Sequence, residues 1–286
     1  MPLQTNNISF SFWKDDESLL IGGKSFGILA YAGTEASDYE IETRNHVQYD
    51  GAKMLAKRTL PREIMVEFEY VPWNGRGNMR QQLISFFDPK TTGRLTVKIY
   101  GTAREISYEV KSFRVQNQDL FEKLRCLLYL QCLDPYFQST EQICEKISTL
   151  IGGWKWKFTL PFRMKQYGPL EKVIVNNGHL PAPVEIFFRG PAVNPKIVNH
   201  RTGQYIRLKR TLTTDDSLYI STAYGKKTVE IRTEGGSTED GWDYLDLESE
   251  FFWLQKGENR IEYSGEDESV RSRGVEVRYR ELFFGV

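Results

Sequence analysis

Three histidines are the side chains in this sequence best suited to bind a metal or to transfer a proton. They are His46, His179 and His200, and none belongs to an HExxH motif or to another spacing typical of zinc ligands. Isolated histidines are common in loops and at strand ends, so we interpret all three as structural residues. The sequence therefore predicts no metal ion and no cofactor.

The cysteines Cys126, Cys132 and Cys144 are an odd number and include no CxxC pair, which argues against a disulfide framework and against a zinc knuckle. Cys144 and His200 could form a nucleophilic pair, but no flanking signature supports one. We predict reduced, mostly buried thiols, with Cys144 on an apolar stripe beside Ile143 and Ile147.

The glycine-rich stretch Gly22-Gly23-Lys24 matches a phosphate-binding loop only in part. The upstream glycine and the four-residue spacer of that motif are missing, and no helix is predicted after it. A turn is the better interpretation. Because no nucleophile, base or metal set is recognisable elsewhere, the sequence predicts a protein that is not an enzyme.

An acidic cluster in the second half of the chain contains two aromatic residues. Its carboxylates are Glu239, Asp240, Asp243, Asp246, Glu248 and Glu250. Their spacing matches no calcium-binding loop, so a solvated face is the favoured interpretation. Trp242 and Tyr244 lie within the cluster, and aromatic rings beside carboxylates can stack on sugars. Carbohydrate binding through Trp242 and Tyr244 is therefore kept as the alternative function.

Alternating apolar and polar residues predict strands in the first half of the chain. Ile8, Phe10 and Phe12 alternate with serines, and residues 62–71 place apolar side chains largely opposite glutamates. RLTVKIYG and ISYEVKSFRV alternate across a turn at GTARE, as in a hairpin. NMRQQLISFFD has apolar residues at helical spacing and ends before Pro89, which predicts one short helix.

The run DLFEKLRCLLYLQCLD has the composition of a helix, but its second half also fits a central strand covered on both faces. We favour the strand and keep the helix as an alternative. Residues 1–137 are then predicted to form a first domain, a mixed sheet of about five strands with one helix packed on it.

Residues 138–170 are more basic and are predicted to be a connector that packs on other surfaces through Trp154, Trp156 and Phe158. In residues 171–286, short alternating segments recur roughly every 8 to 12 residues without a helical window. The segments are KVIVN, APVEIFFRG, PKIVNH, QYIRLK, DSLYIST, KTVEIR, FFWLQ, NRIEYS and GVEVRYREL. They predict an antiparallel β-sandwich of galectin-like or jelly-roll type, so the whole chain is expected to be mainly β.

The stretch from Gly33 to Gly51 is polar and acidic and has few apolar residues. A stretch this long without clear periodicity is often functional, and we predict an arm. The 38 basic residues balance the 38 acidic ones, so we expect neither dedicated nucleic-acid binding nor attraction to anionic membranes. No run approaches roughly 18 apolar residues and the start lacks a signal sequence, so synthesis and folding in the host cytoplasm are expected.

Two regions resemble the distal tail proteins of siphophages. In the first, KRTLPREIMVEFEY, NMRQQLISFF, TTGRLTVKIYG and ISYEVKSFRV precede CLLYLQCLDPYF, whose ending Leu133-Asp134-Pro135-Tyr136-Phe137 is the most characteristic element. In the second, PAPVEIFFRGPAVNPKIVN precedes FFWLQKGENRIEYS. The order and spacing of these motifs carry the resemblance more than any single motif does.

The resemblance implies a structural component of a phage tail tip, or of a phage-derived tail particle. Such proteins form a ring, usually hexameric, that joins the tail tube protein to the tail-tip hub (tail-associated) protein and holds adsorption or receptor-binding proteins. A closed ring joins two different surface patches, which arms and sheet edges can supply. The expected ring contacts are Tyr39, Ile41, His46, Tyr49, Arg62 and Ile64.

Overall fold

A computed structural model describes residues 7–46, 48–72, 75–90, 92–116, 123–148, 150–151, 166–167, 170–266 and 274–286. The chain divides into two compact units, one made of Met1–Thr140 with Phe283–Val286 and the other of Glu141–Leu282. The second unit is therefore an insertion between two segments of the first. Within the described residues, no helix has the length and apolar character needed to cross a membrane.

Among its described residues, the first unit contains one helix, α1 (Arg76–Phe86), and ten strands. The strands are β1 (Ile8–Lys14), β2 (Glu17–Ile21), β3 (Phe26–Ala32), β4 (Tyr39–Asn45), β5 (Ala52–Thr59), β6 (Arg62–Tyr70), β7 (Gly93–Ile99), β8 (Thr102–Val115), β9 (Leu124–Cys132) and β10 (Phe137–Ser139). The main sheet has the order β2-β1-β7-β8-β9-β6-β3. Every pairing along this path is antiparallel, unlike the predicted mixed sheet, because tight turns such as those of β1–β2 and β7–β8 join only antiparallel neighbours.

This sheet curls around one core. The long strand β8 pairs with β7 through its first half and with β9 through its second half, with a register shift between Val110 and Ser112. Phe10 of β1 lies 5.6 Å, between ring centroids, from Tyr31 of β3, so strands near opposite ends of the sheet meet across the core. The predicted helix is confirmed as α1, and it buries Leu83 and Phe86 against this core.

The ambiguous run of the sequence forms β9, so the strand interpretation is confirmed for residues 124–132 and residues 117–122 lie outside the described part. Its alternate residues Leu124, Cys126, Leu128, Leu130 and Cys132 are buried. Because β9 pairs with β8 on one side and β6 on the other, it is an inner strand.

The second unit is a β-sandwich, as predicted. Its strands are β11 (Ile143–Ile147), β12 (Leu150–Ile151), β13 (Gln166–Tyr167), β14 (Glu171–Asn176), β15 (Val184–Arg189), β16 (Ala192–Val193), β17 (Lys196–Asn199), β18 (Tyr205–Arg207), β19 (Thr211–Leu212), β20 (Asp216–Ser221), β21 (Thr228–Thr233), β22 (Thr238–Asp240), β23 (Gly257–Ser264) and β24 (Val275–Tyr279). The last strand, β25 (Leu282–Phe283), pairs with β10. The sheets β11-β24-β15-β20-β21-β22 and β14-β23-β17-β18 share one core, in which Phe188 meets Tyr263 edge to face at 5.8 Å.

The structure differs from the sequence prediction at two places in this region, and a third prediction falls outside the described residues. The segment FFWLQ is not a strand: Leu254 makes an isolated bridge to Ala182, and Phe252 and Leu254 are buried in an otherwise irregular segment. Cys144 is exposed, because it alternates with Ile143 and Ile147 along β11 and therefore points to the opposite face. The connector aromatics Trp154, Trp156 and Phe158 lie outside the described residues.

Candidate functional site: an exposed arm and its root

The strands β4 and β5 form a separate hairpin, which we call the arm. They pair with each other in a two-stranded sheet of their own, and nearly every residue of both strands is exposed. The arm extends past the predicted end at Gly51 to Thr59. An isolated two-stranded hairpin is marginally stable in water, so an arm of this kind gains stability when something covers it.

The two faces of the arm differ in chemistry. Tyr39 and Ile41 stand opposite Thr59 and Lys57 in the ladder, so the four side chains share one face. Ile41 is 53% exposed there, with no core beneath it. The other face carries the pair Glu40↔Arg58, in which Arg58 Nε donates to Glu40 Oε2 at 2.6 Å.

The predicted ring contacts within the arm lie on the surface. Tyr39 and Ile41 are exposed on the first strand, and exposed Met54 and Leu55 follow on the second. Near the tip, His46 stacks on the ring of Tyr49 with centroids 4.3 Å apart, and Tyr49 is 67% exposed. The structure thus brings Tyr39, Ile41, His46 and Tyr49 together on one exposed hairpin.

The other two predicted contacts, Arg62 and Ile64, are not on the surface. Both belong to β6, which lies between β3 and β9 and has no free edge. Ile64 is fully buried and Arg62 is 3% exposed. Neither side chain can therefore contact a neighbouring subunit, and the prediction is corrected for these two residues.

Arg62 instead holds the root of the arm, by which we mean residues 33–38, which lead into β4, and residues 60–61, which follow β5. Its Nε donates to the carbonyl of Pro135 at 2.9 Å, and its Nη1 donates to the carbonyls of Gly33, at 2.8 Å, and Glu35. Its Nη2 donates to the carbonyl of Phe284. Burial lowers the pKa of Arg62, and these carbonyl oxygens replace the water that the guanidinium has lost.

The motif Leu133-Asp134-Pro135-Tyr136-Phe137 completes the root. The Pro135 carbonyl also accepts from Ser37 Oγ at 3.2 Å, on the incoming side of the arm. The Tyr136 hydroxyl lies 3.0 Å from Thr59 Oγ1, on the outgoing side. This segment therefore contacts both ends of the arm, and its position depends on contacts distant in sequence.

The aromatic pair predicted for sugar binding lies in a 3-10 turn at Trp242–Tyr244 of the second unit. Trp242 is 41% exposed and packs at 5.5 Å, between centroids, against Phe251. The face of Tyr244 is covered by the Arg210 guanidinium at 4.5 Å, and its hydroxyl donates to Glu239 at 2.9 Å, which raises the pKa of Tyr244. Only Trp242 of the pair offers an open ring.

A second cluster joins Glu171, His200 and Glu262, whose potential ligand atoms lie within 4.8 Å of one another on the four-stranded sheet. One nitrogen and two oxygen donors could hold a transition metal such as zinc. His200 Nε2 lies 2.5 Å from Glu262 Oε2, and the Arg260 guanidinium lies 3.6 Å from Glu171, so each carboxylate already has a protein partner. Sequence spacing gave no signal for this cluster because its members come from three separate segments.

The described thiols are poor nucleophiles. Burial raises the pKa of Cys126 and that of Cys132 to about 12 in each case, so both are protonated at neutral pH. Cys144 is exposed, and desolvation together with a hydrogen bond to Glu276 raises its pKa. It contacts Glu276 and Arg278, whereas His200 contacts Glu262, so the Cys144–His200 pair considered above does not form.

The second unit matches a known family. The model described as "Siphovirus-type tail component, C-terminal domain" matches residues 177–283. This chain carries the C-terminal domain of the siphovirus-type tail components. The resemblance to distal tail proteins is thereby confirmed, and this tail component is a structural part of a phage tail or baseplate.

Solved structures share the fold of the tail component over both units. The crystal structure of phage SPP1 Dit (gp 19.1), described as a paradigm of the hub adsorption apparatus in Gram-positive-infecting phages, has a TM-score of 0.68 at 12% identity and covers 96% of this chain and 99% of its own. The phage p2 baseplate in its activated conformation, with Ca or with Sr, gives TM-scores of 0.54 and 0.53 at 11% identity, and each match covers 96% of this chain and 98% of the other. No curated protein matches the sequence.

Proposed function

We propose that this tail component forms a hexameric ring at the distal end of the tail, and that the arm makes the contact between neighbouring subunits. The observation that carries the proposal is the exposure of Tyr39 and Ile41 on one face of the arm, which we call its apolar face. A ring subunit presents one patch to a different patch of its neighbour, and a projecting hairpin can supply one of the two.

Burial of the arm against a neighbour would supply the stability that the hairpin lacks alone. Tyr39, Ile41, Met54 and Leu55 are each between 40% and 58% exposed. Removing such side chains from water contributes about 25 cal/mol per Å² of apolar surface. The polar face with Glu40 and Arg58 would remain in contact with solvent or with polar groups of the neighbour.

The proposed ring joins the tail tube protein on one side to the tail-tip hub protein on the other. The balance of 38 basic against 38 acidic residues supports a conduit that lets DNA pass without holding it. The β-sandwich of the second unit is proposed to attach adsorption proteins, among them a receptor-binding protein. In this function the protein assembles with partners and turns over no substrate.

Mass photometry of the purified full chain tests the ring. The wild type is expected at six times the 33.3 kDa of one chain. Ile41→Lys, on the apolar face, is expected to stay monomeric at the same concentration, because a lysine cannot be buried there without a partner. Glu42→Lys places the same side chain on the opposite face and is the matched control. A wild type that is monomeric at every concentration, with and without tail proteins, would contradict the proposal.

A second candidate function is binding of host-wall carbohydrate through the second unit, supported by the open ring of Trp242 beside carboxylates. A glycan array with the wild type tests it, with Trp242→Ala expected to lose any signal. Tyr224→Ala removes another aromatic ring, 87% exposed, and should leave binding unchanged. An array without hits would eliminate this candidate.

A further inference from the structure

The segment Phe283–Val286, which we call the strap, returns to the first unit after the whole second unit has intervened. Its backbone is held at three successive residues. The Phe284 carbonyl accepts from Arg62, the Gly285 carbonyl accepts from Arg104, and the Val286 N–H donates to the Thr34 carbonyl at 2.9 Å. These bonds give four residues a defined path along the root of the arm.

The side chains of the strap add contacts of two kinds. The Arg104 guanidinium lies 3.6 Å above the centroid of the Phe283 ring, a close cation–π contact. The Phe284 ring meets Tyr136 edge to face at 6.2 Å. Tyr136 in turn contacts Thr59 at the outgoing end of the arm, so the strap is coupled to both ends of the hairpin.

At Gly285 the strap lies directly against the backbone of Thr34 and Glu35, in the segment that leads into the arm. A Cβ added to it would lie 2.7 Å from the Thr34 carbonyl oxygen and 2.8 Å from the Glu35 carbonyl oxygen, and both are backbone atoms. Real Cβ atoms do not approach backbone this closely, so any side chain at Gly285 must displace either the strap or the incoming segment of the arm. The strap is therefore packed directly against the arm root.

Folding of the second unit lowers the entropic cost of bringing the strap to the root of the arm. Within that unit, β11 pairs with β24, and Ile143 stands opposite Tyr279. The two ends of the insertion are thus adjacent once the sandwich has formed. In an unfolded second unit, closing the same long loop would cost conformational entropy before any strap contact could form.

We propose that the strap fixes the direction of the arm, so that an arm competent for assembly exists only in chains whose second unit has folded. Without the strap, the buried Arg62 guanidinium loses one acceptor and the Thr34 carbonyl loses its donor. The root then loosens, and the arm no longer projects in one direction. The assembly part of this inference rests on the proposed ring, whereas the anchoring part does not.

The test uses the full chain with Gly285→Ala, and with Gly235→Ala as the matched control, since a Cβ at Gly235 meets nothing within 4 Å. Hydrogen exchange is measured at the Leu60 amide, which bonds to the Asp38 carbonyl across the base of the arm. We expect exchange about tenfold faster or more in Gly285→Ala and unchanged in Gly235→Ala. Exchange in β20 and β21 reports whether the second unit remains folded.

A core variant of the second unit, Ile220→Ala, supplies the second measurement. If the inference holds, this variant also accelerates exchange at Leu60, although Ile220 belongs to the other unit. If the Leu60 amide exchanges in Gly285→Ala at the same rate as in the wild type, the proposed anchoring role of the strap is wrong. A wild type that forms no rings would remove the assembly role alone, because the exchange experiment would still decide the anchoring role.

Discussion

Two hairpins of this chain, β4–β5 and β20–β21, have the same local architecture and different sources of stability. In β20–β21, the inward residues Leu218, Ile220, Val229 and Ile231 are 1–2% exposed and belong to the sandwich core. In the arm, Ile41 occupies a comparable position in the ladder and is 53% exposed. An alternating pattern therefore specifies a strand, whereas the layer that covers one of its faces decides whether the hairpin is stable.

The largest expected effect separates the two hairpins directly. Ile220→Ala should lower the free energy of unfolding by about 3 kcal/mol, because it leaves a cavity in the core. Ile41→Ala, measured where the protein is monomeric, should change it by less than about 0.5 kcal/mol. Urea unfolding followed by circular dichroism measures both. Equal losses would mean that the arm already has a core within its own chain.

The root of the arm should respond more strongly than its strands. Arg62→Lys keeps the charge but loses the planar fork that reaches the carbonyls of Gly33, Pro135 and Phe284. We expect a loss of about 2 kcal/mol in the free energy of unfolding, because buried carbonyls lose their donors. Calorimetry of the variant against wild type checks this. An unchanged melting temperature would show that water replaces the guanidinium without cost.

A pH-dependent contribution is expected in β20–β21. The Thr213 backbone N–H, 2.9 Å from Asp216 Oδ2, lowers the pKa of Asp216, and the hydroxyls of Thr213 and Thr233 reinforce this shift. A lowered pKa stabilises the fold above the ordinary carboxyl pKa, and this contribution disappears as the pH falls through the pKa of the folded state. Asp216→Asn should cost about 1 kcal/mol at pH 7. Urea titrations at pH 7 and near pH 3 should show the two proteins converging, and a constant difference would refute this assignment.

The smallest effect is expected on the polar face of the arm. Glu40 and Arg58 form an ion pair whose side chains are 50% and 75% exposed. Glu40→Gln should change the free energy of unfolding by less than about 0.5 kcal/mol, since exposed pairs are screened by water and salt. The same variant at high salt is the control. A larger loss would show that the arm is stabilised by its own charges.

Much of the fold is predictable from local patterns. The strands β6, β7, β8 and β15 follow a largely alternating pattern, and α1 follows helical spacing before Pro89. The segment FFWLQ misleads, because adjacent aromatic residues signal burial and do not specify a paired strand. The outgoing strand of the arm is missed because Met54 and Leu55 are neighbours at a register shift and break the alternation.

The root of the arm is beyond prediction from one sequence. A charged residue at the start of a strand is ordinarily exposed, so the sequence predicts Arg62 on the surface. Its burial depends on carbonyl oxygens contributed by Gly33, Pro135 and Phe284, which are far apart in the chain. Backbone carbonyls carry no residue-specific signal, so nothing in the sequence marks these positions as acceptors. The four arm residues are predictable because exposure requires no particular partner.

The insertion of residues 141–282 between two segments of the first unit has an evolutionary consequence. Because β11 and β24 place the ends of the insert side by side, any other module with neighbouring termini can occupy the same place in the gene. Recombination at these two junctions would exchange the inserted unit as a cassette and leave the contacts around Arg62 intact. A phage lineage could in this way acquire new attachments without redesigning the proposed ring.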